Sequence, residues 1–219
     1  MTRPALAWNH NAYYHRLLLR QLPPAPARVL DVGCGAGDLA ARLARVAGRV
    51  DALDVSGPMI ELARTAVPGN VTCLHADVLT HPLPAGAYDA IVSLTALHHL
   101  PLADVLPRLA AALRPGGVLA AVALPRTDLP RELPAELAGA AGHRLYGAAF
   151  AGLRAAGRGD WYAIPASHAI MPVVLEAPLT TRQVRQEAAA ILPGVRVRRL
   201  AFWRYFLLWR KPLLPAFAQ

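Results

Sequence analysis

The sequence predicts a doubly wound α/β fold, a parallel sheet with helices on both faces, and three observations carry that expectation. The first is Val29–Leu39, a β-branched apolar run that breaks into glycines at Gly33, Gly35 and Gly37 and then into a helical pattern. The second is the alternation of short apolar runs with helix-period segments from residue 28 to 124, which means right-handed βαβ units. The third is a series of acids, Asp31, Asp54 and Asp77, each at the end of a predicted strand. In such a sheet a ligand binds outside the carboxyl ends of the strands.

Taken in order, residues 8–22 suit a helix with His10, Tyr14 and Leu18 on one face and Asn11 and His15 on another, stopped by Pro23, Pro24 and Pro26. It brings polar and aromatic groups to a place where a helix can lie across a ligand. The strand at 29–33 then enters the glycine turn. Glycines there serve positive φ and let a ligand approach bare backbone, while the helix at 38–47 offers free N–H groups. One glycine at such a junction is often structural, but three within five residues behind a strand-terminal Asp point to a nucleotide-like ligand. The strand at 49–55 ends on Asp54, about 20 residues past the turn, the spacing at which a carboxylate binds ribose hydroxyls. Ser56, before Gly57 and Pro58, reads as the cap of a helix at 58–66 and leaves Asp54 to the ligand.

A strand at 71–75 leads to Asp77, and a strand at 88–93 leads to Leu94–Leu100, which carries His98 and His99 across the strand tips before a helix at 102–113. Arg114–Gly117 reads as a turn and 118–123 as a fully buried strand. Residues 126–172 are rich in Pro, Gly and Ala, with one helix at 134–153, and long connections of this kind are usually lids or specificity elements. Trp161, Tyr162 and His168 within it suit a pocket wall. Thr180 caps a helix at 181–192, and strands at 195–200 and 202–209, antiparallel to each other, close the sheet edge.

The 219 residues form one domain without internal repeats: an N-terminal cap helix in 1–27, a ligand-binding core in 28–124, a lid insertion in 126–172 and a terminal helix and strand pair in 180–211. Cys34 and Cys73 sit in different contexts, which predicts reduced thiols in an intracellular protein, and neither resembles a metal ligand. Residues 1–10 lack an apolar leader core and no stretch approaches the ~20 apolar residues of a spanning helix, so a soluble, cytoplasmic protein is expected. The formal charge of +9 invites a nucleic-acid partner. Against it, the cations are scattered arginines with Lys211 the single lysine; the local cluster Arg196, Arg198 and Arg199 has no interleaved aromatic residues.

The ordered series Leu30–Gly37, Asp54, Ala76-Asp77, Tyr88–Ser93 and Leu113–Gly117 resembles the class I S-adenosylmethionine-dependent methyltransferases, small-molecule type of bacteria, over about Val29 to Val122. The resemblance implies a Rossmann-like seven-stranded sheet of order 3-2-1-4-5-7-6 with the last strand antiparallel, and S-adenosylmethionine as cofactor. It implies Asp31 near the cofactor's ammonium, with Gly33, Cys34, Gly35 and Gly37 against its methionine and ribose part. Asp54 would take the ribose hydroxyls, Met59, Asp77 and Val78 would lie at the adenine, and Ser93 and Leu94 by the sulfonium, with Val55 a further cofactor contact. His98 and His99 are the candidate bases, and His10, Tyr14, His98, Trp161 and Tyr162 the candidate acceptor contacts. The Asn/Asp-Pro-Pro-Tyr signature of base-amine methylation is absent after the fourth strand, and no carboxylate triad marks a metal site. A small organic acceptor is therefore expected, with O, N or C transfer open. A dinucleotide-binding dehydrogenase, an RNA methyltransferase and a non-catalytic cofactor-binding protein are the rival readings.

Overall fold

A computed structural model describes residues 6–129, 131–169 and 177–213, with side chains undescribed at 168 and 169. Seven strands form one sheet in the order β3-β2-β1-β4-β5-β7-β6: β1 Arg28–Val32, β2 Arg49–Asp54, β3 Val71–His75, β4 Tyr88–Leu94, β5 Leu113–Ala123, β6 Arg196–Leu200 and β7 Arg204–Arg210. The first five run parallel, and β7 is antiparallel to both β5 and β6. The helices are α1 His10–Leu19, α2 Asp38–Leu43, α3 Gly57–Ala66, α4 Leu102–Ala112, α5 Leu133–Ala155 and α6 Thr181–Ile191.

The buried strands alternate between two cores because successive side chains point to opposite faces. Leu30, Val32, Ile91 and Leu119 pack with Leu102, Val105, Leu106 and Leu109 of α4 and Val184 and Ala188 of α6. Val29, Val50, Val92 and Val118 pack with Leu18 of α1, Leu39, Ala40 and Leu43 of α2, and Ile60 of α3. Period-2 strands and period-3.6 helices thus build the doubly wound fold that the sequence predicts.

Element ends depart from the sequence reading for local reasons. Helix α1 starts only at His10, because the Asn9 side chain accepts from the backbone N–H of Asn11 and Ala12. Helix α2 stops at Leu43; the Asn70 amide takes the carbonyls of Ala44 and Ala47 beyond it at 2.9 and 3.2 Å. The expected turn at Arg114–Gly117 is strand instead, because Gly116 N–H donates to Lys211 and Lys211 N–H donates to Gly117, extending the ladder past β7. Strand β7 opens at Arg204 because Phe202 and Trp203 both take positive φ, 55° and 59°. The Thr180–Gln183 capping box starts α6.

Arg196 and Arg198 of the arginine cluster are exposed on β6. An aromatic partner comes from the neighbouring strand, where the Arg198 guanidinium lies 5.4 Å from the Phe206 ring centre. This cluster occupies the last strand of the sheet, with β7 and β5 between it and the β4 tip. No helix of the described residues is long and apolar enough to cross a membrane. Residues 1–5, which bear on the leader expectation, and 170–172 of the insertion lie outside the described residues, as does the His168 side chain.

Candidate active site

A cavity of about 420 Å³ opens at the carboxyl tips of β1, β2, β3 and β4, roofed by α1. The glycine turn forms one wall. Gly33 and Cys34 both donate to the Leu53 carbonyl, at 2.8 and 3.0 Å, which ties the β1 tip to the β2 tip. Gly33 takes φ +73°, and a Cβ there would overlap the Ala96 methyl, so the two strand tips meet at bare backbone.

Asp54 holds the turn. Its Oδ2 accepts from Gly35 N–H and its Oδ1 from Ser56 N–H, both at 2.8 Å. The Ser56 side chain makes no capping bond. Asp54 is therefore a backbone clamp as well as a wall residue, contrary to the expectation that Ser56 leaves it free. Each oxygen keeps a second lone pair, so the carboxylate can still accept two hydroxyls.

Asp31 is 1% exposed and its Oδ2 has no partner. Burial, with Asp54 nearby, pushes its carboxyl up to about 8. A buried carboxylate without a donor is costly, so this oxygen suits a cationic ligand group. Because the folded carboxyl holds its proton to higher pH than the unfolded one, the linked stability is full below about pH 4 and is lost as pH rises through about 8. The melting temperature of the ligand-free wild type is expected to fall steadily relative to that of Asp31→Asn from pH 5 to pH 8, while buried His10 and His15, held below their ordinary value, contribute the opposite slope equally in both proteins. The same slope for both proteins in differential scanning calorimetry would contradict the assignment.

Asp77 lines the cavity and its Oδ1 accepts from Leu79 N–H at 2.8 Å; Val55, Met59, Val78 and Leu94 complete that side. Of the twelve candidate cofactor residues, Gly37 and Ser93 are the two that do not line it. Gly37 is the left-handed N-cap of α2, where a Cβ would stand 2.7 Å from Val67 Cγ1, so it allows α2 to approach α3. Ser93 is fully buried and donates from Oγ to the Val32 carbonyl at 3.0 Å, because the pleat turns it into the sheet one residue before the tip.

A 3-10 turn at Leu97–His99 keeps the two histidine rings 3.9 Å apart, centre to centre, yet His99 lines the cavity while His98 lies against the core of α4 and α6, beside Leu102, Val184 and Tyr205. Burial holds the His99 imidazole below its ordinary value.

The remaining candidate acceptor contacts stand away from the cavity. His10 Nε2 meets His143 Nδ1 of α5 at 3.0 Å inside a ring of Trp8, Phe202 and Trp203. Tyr14 donates to the Ala201 carbonyl at 2.5 Å. Trp161 is 44% exposed and bonds its Nε1–H to Arg158, and Tyr162 contributes its carbonyl to Asn9 N–H at 2.7 Å. No described residue of the 126–172 insertion lines the cavity. The insertion packs on α1 and thereby seats the roof.

Sequence reasoning missed the roof residues as contacts. Asn11 and His15, one turn apart on α1, line the cavity with Ala12 and Thr95. Their shared face was visible in the helical spacing; the aromatic side went instead to the packed interface. His15 is 4% exposed, its Nδ1 has no partner, and burial lowers it to about 4, so it presents a neutral imidazole. The lining carries Asp31, Asp38, Asp54 and Asp77 and no Arg or Lys among the described residues.

The seven-stranded order, the glycine turn clamped by an acid at the β2 tip and the cavity across those tips define a class I methyltransferase. Residues 29–117 match the family model described as a methyltransferase domain. An uncharacterized methyltransferase of Mycobacterium tuberculosis is 36% identical over 208 residues, covering 94% of this chain and 98% of that protein. The chain belongs to the S-adenosylmethionine-dependent methyltransferase family. A trans-aconitate 2-methyltransferase of Azoarcus is 39% identical over 189 residues, 83% of this chain and 72% of that protein. Among solved structures, the N-methyltransferase NodS of Bradyrhizobium japonicum with S-adenosyl-L-homocysteine shares the fold at TM-score 0.57 and 18% identity, over 93% of this chain and 89% of that one.

The residues present fit the cofactor on this structure's own evidence. Asp31 has an orphaned buried oxygen for an ammonium, the glycine turn is a cradle that a side chain would fill, and Asp54 keeps lone pairs for two hydroxyls.

Proposed function

We propose that the protein methylates a small organic acceptor, with His99 as the residue that takes the proton the nucleophile loses. S-adenosylmethionine, when bound, supplies a methyl group already activated by its sulfonium. The chain's own contribution is alignment and exclusion of water, through the strand tips below and α1 above. The observation that carries this reading is the cavity of about 420 Å³ roofed by Asn9, Asn11, Ala12 and His15, which leaves room for little beyond the cofactor and a small molecule. The Azoarcus relative, named for a small carboxylic acid, supports the same acceptor class. The arginines of β6 lie away from the cavity and its lining carries no described cation, which argues against a polyanionic acceptor.

Tyr14, Trp161 and Tyr162 stand outside the cavity lining, so the acceptor roles pass to Asn11, His15 and Thr95 on the roof and at the β4 tip. Burial holds the His99 imidazole below its ordinary value and so favours the neutral form that can accept a proton. His99→Gln is expected to lower kcat about 100-fold or more with little change in KM, the range of a lost general base. His98→Gln should act on melting temperature rather than on kcat. The test is S-adenosylhomocysteine release over a panel of small hydroxy, amino and carboxylic acids with bulk RNA alongside. Turnover on RNA alone would contradict the acceptor class, and equal kcat losses at both histidines would contradict the base.

A further inference from the structure

Arg204 opens β7 at 8% exposure, and it belongs to none of the ion pairs among the described residues. Its Nη1 donates to the Phe202 carbonyl at 2.9 Å and its Nη2 to Asn11 Oδ1 at 3.0 Å, and its Nε has no partner. A buried cation without an anion is costly, and proteins complete such sites with a negative group.

The guanidinium has only donors, so it dictates how the Asn11 amide lies. Oδ1 must face Arg204, which turns Nδ2 toward Thr95 Oγ1 at 3.1 Å. Thr95 Oγ1 in turn donates to the Leu94 carbonyl at 2.8 Å. Every bond in this relay runs one way, from β7 through α1 to the β4 tip, and both Asn11 and Thr95 line the cavity. The Asn11 amide therefore presents N–H, not oxygen, to a ligand.

Thr95 adds an independent sign. It takes φ +56°, a region that β-branched residues rarely adopt, and it is held there by its N–H on the Val122 carbonyl at 2.7 Å. Strain of this kind persists where surrounding structure enforces it, commonly at ligand clamps. On the adjacent strand Asp31, whose buried Oδ2 is unpaired, lines the same cavity with the opposite charge preference.

We propose that Asn11 and Thr95, with Arg204 behind them, form a carboxylate subsite, in which a ligand carboxylate accepts from Asn11 Nδ2–H within the field of the buried guanidinium. Arg204 acts through Asn11 and is a positioning residue. The carboxylate is that of the cofactor's amino-acid end or one on the acceptor; both present the same chemistry to this wall. The inference rests on the reading of the cavity as the cofactor site.

The test is calorimetric titration of the full chain with S-adenosylhomocysteine, which carries the carboxylate, and with 5′-methylthioadenosine, which keeps the adenosine and sulfur without it. Two variants complement each other. Arg204→Met removes the cation at similar shape. Asn11→Asp gives Arg204 an internal anion, which favours the fold while repelling a ligand carboxylate. Both variants are expected to bind methylthioadenosine within twofold of wild type and S-adenosylhomocysteine about tenfold or more weaker, as for a lost bond to a charged group. That result assigns the cofactor's carboxylate. Unchanged S-adenosylhomocysteine affinity with loss of wild-type trans-aconitate binding by the loaded protein assigns the acceptor's. Equal weakening of S-adenosylhomocysteine and methylthioadenosine overturns the subsite, as does binding of all three compounds indistinguishable from wild type. If wild type binds neither adenosine compound, the cofactor-site reading itself fails and the subsite with it.

Discussion

Asp54→Ala is expected to weaken S-adenosylhomocysteine binding about 100-fold, whereas Arg196→Ala on the exposed face of β6 should leave it unchanged. The magnitude follows from two ribose hydroxyls on one carboxylate, each bond to a charged group contributing about 1.5 kcal/mol or more. A total near 3 kcal/mol is about two decades in affinity. The clamp adds to this. Asp54 also holds Gly35 N–H and Ser56 N–H at 2.8 Å, so its loss releases the turn that a ligand approaches as well as removing the ligand's partner. Asp54→Asn separates the two contributions: the amide can keep one backbone bond, and it should fall between wild type and Asp54→Ala. Comparable calorimetric affinities for Asp54→Ala and Arg196→Ala would place the ribose elsewhere.

Gly33→Ala should destabilise the fold by about 3 kcal/mol or more, through overpacking and a left-handed backbone at once. The glycine has φ +73°, and an added methyl would overlap that of Ala96 at the next strand tip. For a chain of this size each kcal/mol moves the melting temperature by about 2–4 °C, so a drop near 10 °C is expected. Ala96→Gly in the same background removes the overlap but not the backbone strain, and should restore part of the loss. The two sites are in contact, so their effects should not add. Additive losses in a double-mutant cycle of melting temperatures would show that the strand tips do not meet as described.

The core was legible because its signals are local. Glycines that need positive φ, acids that end strands and apolar runs of period two each act within a few residues, and they mark β1 to β5 and most of the cavity wall. The errors arise where a finer local geometry decides. Ser93 sits one residue before the β4 tip, and the pleat sends it into the sheet rather than to the ligand. His98 and His99 are neighbours in sequence and their rings touch, but a 3-10 turn leaves only His99 in the cavity lining.

The acceptor side was less legible because distant segments decide it. The helical spacing of α1 groups His10 with Tyr14 and Asn11 with His15, yet it cannot say which face meets the ligand. That choice is made by His143 on α5 and by the turn at Ala201 and Phe202, more than a hundred residues away, which draw the aromatic face into packing. Arg204 is likewise indistinguishable in sequence from the other arginines. Only the fold shows that it is buried and that it donates a hydrogen bond to the side chain of a roof residue.

The central claim, that the tips of β1 to β4 with the α1 roof hold the cofactor, is tested most directly by a crystal structure with S-adenosylhomocysteine. The account predicts the ribose hydroxyls within hydrogen-bond distance of Asp54, the ammonium at Asp31 Oδ2 and the adenine between Met59 and Asp77. Density for the ligand outside this cavity, or inside it with the ribose turned away from Asp54, would contradict it.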